Sequence, residues 1–137
     1  FLDDGAYLAT LIVIKTAALA QEGKALNSLL SSLKSPAEER EVRIPITAPD
    51  FSSYGDDVLA NLESWTKTLP APISLASPNY EGVRINFDDG WCLLRKSLHD
   101  PIMPLNIASD REGGVKEIAE ILRPFLERYP LLDIAKL

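Results

Sequence analysis

The amino-acid sequence predicts an α+β fold: a four-stranded antiparallel sheet with two helices on one face, preceded by two further helices. Three observations support this prediction. Apolar residues recur at helical spacing up to residue 33, and from residue 42 they alternate with polar residues as in half-buried strands. The later elements then follow in the order strand, helix, three strands, helix, which is typical of a small α+β unit.

The first third of the chain is predicted to hold two helices. The first runs from residue 5 to about residue 22 with Asp3 or Asp4 as its N-cap, and a shorter helix follows over residues 24–33. The polar, proline-containing residues 34–40 indicate a connector. Apolar residues cover more than one face of the first helix and recur at helical spacing in the second. Two helices with this much apolar surface cannot bury it on each other. We therefore expect their packing partner to lie upstream in a longer protein.

The rest of the chain alternates between strand and helix patterns. Residues 42–46 indicate a strand, and Pro45 favours an edge position or an irregularity because proline has no N–H to donate to a neighbouring strand. Ser109 and Glu112 have the spacing of a capping box and predict the start of the last helix. The elements between them are predicted to be a helix over residues 56–69, paired strands over residues 83–87 and 91–95 with a tight turn at residues 88–90, and a strand over residues 103–107. Residues 70–78 are too irregular to assign.

The composition argues against several classes of partner. A net charge of -6 and a pI near 4.8 disfavour nucleic acid and anionic membrane surfaces, because both require a basic face. The apolar run over residues 6–20 is interrupted by Lys15 and is shorter than the ~20 residues that a bilayer crossing needs. A single cysteine, Cys92, cannot form an internal disulfide, so we expect a reducing setting such as the cytoplasm or the interior of an organelle such as a plastid.

The loop between the last two predicted strands is the candidate site. Arg95 can present a planar fork to two phosphate oxygens, and Ser97 adds a hydroxyl. The backbone N–H groups of Leu98 and His99 point into the same concavity if the loop curls. Lys96 supplies a second positive charge, although strand alternation favours an outward direction for it. The alternative is a polar hairpin loop with solvated charges, and the spacing alone leaves both interpretations open.

The chain offers little else for catalysis. Direct phosphate contact by His99 is favoured over proton transfer, because no nucleophile stands beside this residue in sequence. Asp100 would repel a phosphate, so we expect it to turn away and accept hydrogen bonds from the loop backbone. The chain has one histidine and one cysteine, and no spacing of its acidic residues matches a metal loop. We therefore predict no catalytic residue and no metal ligand within this chain.

The residues around this loop resemble the C-terminal domain of the α-D-phosphohexomutases. In that family a phosphate loop commonly reads Arg-Pro-Ser-Gly/Asn-Thr-Glu-Pro after a Gly-Trp strand. The opening residues 1–7 are also similar to the start of the last long helix of the family's third domain. Four positions depart from the family pattern: Lys96 replaces proline, Leu98 replaces a small or amide residue, His99 replaces threonine and Asp100 replaces glutamate. The matching segments are Asp88-Asp89-Gly90-Trp91, Leu94-Arg95-Lys96-Ser97 and Asp100-Pro101.

The resemblance implies a magnesium-dependent mutase that moves a phosphoryl group between sugar positions 1 and 6 through a phosphoserine. Residues 1–35 would then be the last helices of the third domain, and residues 36–137 the C-terminal phosphate-binding domain. Arg95 and Ser97 carry over as phosphate contacts, position 98 only through its backbone amide, and His99 in place of a hydroxyl. The partners implied are a phosphosugar and the upstream domains of the same chain. Those domains would hold the phosphoserine and the Mg²⁺ ligands, so we expect no mutase activity from this chain alone.

Two other classes of function stay open on the sequence. One is a non-catalytic module that binds an anion or small molecule, and the other is an interaction module whose apolar first helix docks a partner protein. The sequence also does not choose among mannose, glucose and glucosamine phosphates, because in the mutase interpretation the selecting residues lie upstream.

Overall fold

The computed structural model describes residues 4–137, which divide into two compact units between residues 34 and 35. The first unit contains helix α1, Gly5–Gln21, and a 3-10 helix, Leu26–Leu30. The Asp4 carboxylate accepts a hydrogen bond from the Tyr7 N–H at 3.0 Å, which confirms Asp4 as the N-cap. Asp3, the other predicted cap, lies outside the described residues. The predicted helix over residues 24–33 is wrong in kind and in length, since only the short 3-10 helix forms there.

Most apolar side chains of the first unit are exposed. Leu19 is the buried residue of α1, whereas its other large apolar side chains are accessible to solvent. Within residues 4–137, no helix combines the length and the apolar character needed to cross a membrane. The exposed members of this unit are Tyr7, Leu8, Leu11, Ile12, Val13, Ile14, Leu26, Leu29, Leu30 and Leu33.

The second unit is an antiparallel sheet with two helices, so the predicted α+β class is confirmed. The sheet has five strands rather than four, in the order β1-β5-β4-β3-β2. The extra strand β2 consists of two residues that pair with β3, a length too short to give a sequence pattern. β1 is an edge strand, as Pro45 predicted. The elements are β1 Glu38–Pro45, α2 Phe51–Thr66, β2 Ser74–Leu75, β3 Val83–Phe87, β4 Gly90–Leu94, β5 Ile102–Ser109 and α3 Gly114–Leu126.

The core lies between one face of the sheet and the two helices. Alternate strand residues point into this core, and α2 and α3 cover them with residues that recur three and four positions apart. The opposite face of the sheet carries the other strand residues and is called the open face below. The buried strand residues are Val42, Ile44, Val83, Ile85, Cys92, Leu94, Met103, Leu105 and Ile107.

Both helices of the second unit begin differently from prediction. α2 starts at Phe51 because the Asp50 side chain caps it, accepting from the Ser53 N–H at 3.0 Å. The capping box at the start of α3 is wrong: Ser109 ends β5, and its hydroxyl donates to the carbonyl of Asp89 at 3.1 Å. The N-terminus of α3 is instead met by Glu38, whose carboxylate accepts from the N–H groups of residues 113 and 115 at 2.8 and 3.2 Å.

Candidate functional site

The candidate loop joins β4 to β5, and backbone hydrogen bonds hold it close on both sides. The Arg95 N–H donates to the carbonyl of Pro104 at 3.1 Å, and the Ser97 N–H donates to the carbonyl of Ile102 at 3.1 Å. Pairing between the two chain segments therefore continues past the end of β4 as far as Ser97. The free part of the loop is short, and its position is fixed by the sheet.

The side chain of Arg95 lies on the open face, because Leu94 before it points into the core. One guanidinium nitrogen, Nη1, lies 3.4 Å from Oε1 of Glu81, and the two side chains are 40% and 66% exposed. A pair this long and this exposed contributes little stability, so it can exchange for another partner at small cost. Arg43 is the main cause that lowers the pKa of Glu41, and the charge of Arg95 adds a smaller effect. That effect agrees with a guanidinium on the open face.

Glu81 is held beside Arg95 by the loop that precedes β3. Gly82 has a positive φ of 61°, and a Cβ at this position would lie 2.8 Å from Cβ of Arg95 and would clash with the carbonyl of Leu94. The Asn79 side-chain amide donates to the Gly82 carbonyl at 2.6 Å and closes this loop. A cavity of about 440 Å³ opens beside it on the open face, lined among others by Tyr80, Arg84, Asn86 and Leu93.

The hydroxyl of Ser97 organises the loop itself. Its Oγ accepts hydrogen bonds from the N–H groups of His99 at 3.4 Å and Asp100 at 3.2 Å, which is a local turn of the kind that serine favours. With its lone pairs occupied by these amides, the Ser97 O–H remains as a donor. Within residues 4–137 the Leu98 N–H has no hydrogen-bond acceptor. The side chains of Leu98, His99 and Asp100 are exposed.

Lys96 points the other way. Its Nζ atom donates to Oδ1 of Asp56 at 2.6 Å, to the Ser52 hydroxyl at 2.9 Å and to the Ser52 carbonyl at 3.1 Å. These acceptors belong to the first turns of α2, on the core side of the sheet. The structure thus brings Arg95, Ser97 and the Leu98 amide to one loop, whereas it directs the ammonium of Lys96, also predicted as a phosphate contact, to α2. Alternation along the extended backbone explains the opposite directions of neighbouring side chains.

Two proteins that are named as mutases are similar to most of this chain. No family model matches the chain. It is 26% identical over 102 residues to a "Probable phosphoglucosamine mutase" of Methanopyrus kandleri, covering 74% of this chain and 21% of that protein. It is 25% identical over 130 residues to a "Phosphoglucomutase" of Neisseria meningitidis, covering 95% of this chain and 26% of that protein. The chain is related to the α-D-phosphohexomutases.

The relationship confirms the resemblance that the loop motifs indicate, and the fold agrees with it. A solved structure of a phosphoglucomutase/phosphomannomutase family protein from Burkholderia thailandensis superposes with a TM-score of 0.58 at 19% identity, covering 93% of this chain and 24% of that one. At this identity the likeness concerns the fold alone. This phosphohexomutase relative spans about a fifth to a quarter of the length of the mutases that it matches.

Several residues around the site were missed by sequence reasoning. Glu81 and Asn79 lie in a stretch with no regular pattern, so no signal pointed to them. Ser52 and Asp56 lie on α2, and their contact with Lys96 spans 40 residues or more. Gly55 would have been a signal only if the helix had been started at Phe51, because a glycine inside an amphipathic helix can have a packing reason, and the predicted helix over residues 56–69 left it outside. Among the described residues, no group of three or more histidine, cysteine or acidic side chains could hold a metal ion.

Proposed function

We propose that this phosphohexomutase relative is the C-terminal part of a mutase that interconverts sugar 1- and 6-phosphates. Its role there is to anchor the phosphate that is not being transferred, so it positions the substrate and breaks no bond itself. The phosphoserine, the Mg²⁺ ion and the residues that select the hexose belong to the rest of the full-length enzyme, and this chain alone has no mutase activity. The observation that carries the proposal is that Arg95, Ser97 and the Leu98 N–H, which has no acceptor among the described residues, lie on one short loop whose ends the sheet fixes.

Arg95 supplies the charge for this anchor. Its guanidinium can place two parallel N–H donors on two phosphate oxygens, which is stronger and more directional than a single contact. The pairing of Arg95 with Glu81 is long and solvent-exposed, so a dianionic phosphate can replace it. The overall charge of -6 does not prevent this, because a local cation opposes it at contact distance.

The loop supplies the neutral donors. The Ser97 O–H is available because its oxygen already accepts from two amides of the loop. The Leu98 N–H is one residue further along, and the His99 side chain is exposed beside it. We assign to His99 the phosphate contact that a threonine hydroxyl makes in the family motif. Because the sheet fixes both ends of the loop, these donors lose little freedom when the phosphate binds.

A titration of the 137-residue chain tests the proposal. Glucose 6-phosphate, glucose 1-phosphate and unphosphorylated glucose are added separately while backbone amide signals are followed by NMR. We expect saturable shifts at residues 95–100 with both phosphates and none with glucose. Arg95→Ala should weaken binding by about 1.5–3 kcal/mol, the range for hydrogen bonds to a charged group.

Lys116→Ala is the matched control for the loss of one positive charge. Lys116 lies in the first turn of α3, and α3 starts beside Ser109. Ser109 pairs with the first residue of β4, which is the end of that strand opposite to Arg95. Binding by this variant should equal that of the unmodified chain. If Arg95→Ala and Lys116→Ala weakened binding equally, the loss of affinity would reflect net charge rather than a contact made by Arg95. Equal binding of glucose and its phosphates would contradict a phosphate anchor.

A second candidate is a protein-interaction module. The observation that favours it is the exposed apolar surface of α1. The same titration separates the two candidates, because a module that only docks a partner protein has no reason to prefer phosphorylated over unphosphorylated glucose.

A further inference from the structure

Lys96 has no donor left for a phosphate. A lysine ammonium has three N–H donors. Three acceptors surround Nζ of Lys96 at 2.6, 2.9 and 3.1 Å: the Asp56 carboxylate, the Ser52 hydroxyl and the Ser52 carbonyl. The Lys96 side chain is only 15% exposed although its carboxylate partner is 63% exposed. The ammonium is therefore committed to α2.

The helix is shaped to receive this side chain. Gly55 lies inside α2, where glycine is unfavourable because it has more conformational freedom to lose than any other residue. A Cβ at this position would lie 2.8 Å from Cδ and 3.1 Å from Cγ of Lys96. The aliphatic part of Lys96 thus passes over the bare backbone of Gly55 before the ammonium reaches Asp56.

We propose that Lys96 is a positioning residue that ties the loop between β4 and β5 to α2, and so sets where Arg95 and Ser97 present their donors. This inference rests on the proposed phosphate-anchoring function. Lys96 stands between these two residues, and successive side chains of an extended backbone point in opposite directions. Fixing the Lys96 side chain on the core side therefore fixes its two neighbours toward the open side. The family motif has proline at this position, so a side-chain anchor takes the place of a rigid ring.

Two substitutions test this role against direct phosphate binding. Lys96→Met removes the ammonium and keeps most of the aliphatic chain, and Asp56→Ala removes its main acceptor. Asp57→Ala is the matched control, because it removes the same charge from the neighbouring exposed position of the same helix. The dissociation constant for glucose 6-phosphate and the hydrogen-exchange rates of the amides at residues 97–100, the latter without ligand, are measured for each variant.

If Lys96 positions the loop, Lys96→Met and Asp56→Ala should each raise the dissociation constant about 3- to 10-fold through lost preorganisation, and Asp57→Ala should not. The double variant should bind no more weakly than Lys96→Met alone, because Asp56 acts on the loop only through the Lys96 ammonium. If Lys96 instead bound the phosphate directly, Asp56→Ala should have the opposite effect. Releasing the Lys96 ammonium and removing a negative charge would then tighten phosphate binding. A lower dissociation constant in that variant would overturn the proposal.

The exchange measurement keeps this inference separate from the proposed function. If the unmodified chain binds no phosphosugar, the anchoring function fails, but the ligand-free loop still reports on Lys96. Faster exchange at residues 97–100 in Lys96→Met and Asp56→Ala, with unchanged rates in Asp57→Ala, supports the positioning role. Unchanged exchange in all three variants rejects it. Because Asp56 is exposed, its substitution leaves the core intact and remains informative even if Lys96→Met disturbs folding.

Discussion

Residues 4–34 and residues 35–137 both carry many apolar side chains, but only the second unit buries most of them. In α3 the apolar residues recur three and four positions apart, so they share one face, and that face packs into the core. In α1 they surround the helix, and most are exposed. The difference shows that the spacing of apolar residues, rather than their number, decides what a small unit can bury. The proposed place in a larger mutase would supply further protein to cover the exposed surface of α1.

Thiol reactivity should give the largest contrast between the two units. Cys92 is fully buried, and burial raises the pKa of its thiol from 9.0 to about 12. Because the thiolate is the reactive form, a rise of this size lowers the reactive fraction about a thousandfold below pH 9. A cysteine introduced as Leu8→Cys, in a Cys92→Ala background, stands on the exposed helix. We expect iodoacetamide to label it at least about a thousandfold faster than native Cys92.

The comparison is made at pH 8, with labelling followed by mass spectrometry, and unfolded protein gives the reference rate for each cysteine. Cys92 should approach its reference rate only when denaturant unfolds the chain. Equal protection of both cysteines in the native protein would show that α1 is covered as well as the core, and the contrast between the units would then be wrong.

Truncation of one leucine in each unit should give the next largest effect. Leu62 in α2 is fully buried, and Leu8 in α1 is 58% exposed. Leu62→Ala leaves a cavity and should lower the free energy of unfolding by about 2–5 kcal/mol. Leu8→Ala makes the same chemical change at a solvent-facing site and should alter it by no more than about 0.5 kcal/mol. Urea titration followed by tryptophan fluorescence reports the unfolding of the second unit in both variants, since Trp65 and Trp91 lie there. A large loss in Leu8→Ala would mean that α1 contributes to the cooperative core.

The sequence predicted elements where a local pattern exists. Alternation located the strands at residues 42–46, 83–87, 91–95 and 103–107 to within a few residues, and Pro45 located an edge. β2 was missed because two residues carry no periodicity, and they form a strand only by pairing with β3. The start of α2 was placed too late because Ser52, Ser53 and Gly55 are weak helix formers, although Phe51 and Tyr54 pack against the core. The capping box failed because Ser109 is needed in β5, where it bonds to Asp89.

The candidate site shows the same limit. Arg95 and Ser97 were predicted as phosphate contacts because they lie close together in sequence and follow a buried strand. Strand alternation favoured an outward direction for Lys96, whereas its side chain is only slightly exposed and lies against α2. Its acceptors on α2 meet it only when the helix packs on the sheet. Glu81 reaches Arg95 for a comparable reason, through a loop whose shape depends on Gly82. A local pattern can identify which residues carry chemistry, whereas their partners depend on tertiary packing.

Helix capping should give the smallest contrast. Asp4 caps α1 from three residues away, whereas Glu38 caps α3 from 75 and 77 residues away. The N-cap residue of α3, Gly113, offers no side-chain cap of its own. Loss of Glu38 therefore leaves two N–H groups without an acceptor at the start of a helix that packs against the core. Glu38→Ala should lower the free energy of unfolding of the second unit by about 1 kcal/mol.

Glu39→Ala is the matched control, because it removes the same side chain from the next, exposed position of β1. Its effect should stay within about 0.5 kcal/mol. Asp4→Ala extends the comparison to the first unit: because its cap is local, it should reduce helical circular dichroism without shifting the urea midpoint of the second unit. If Asp4→Ala shifted that midpoint as much as Glu38→Ala does, the two units would unfold in one cooperative transition. The exposed helix would then be part of the same folding unit as the sheet, despite its poorly buried surface.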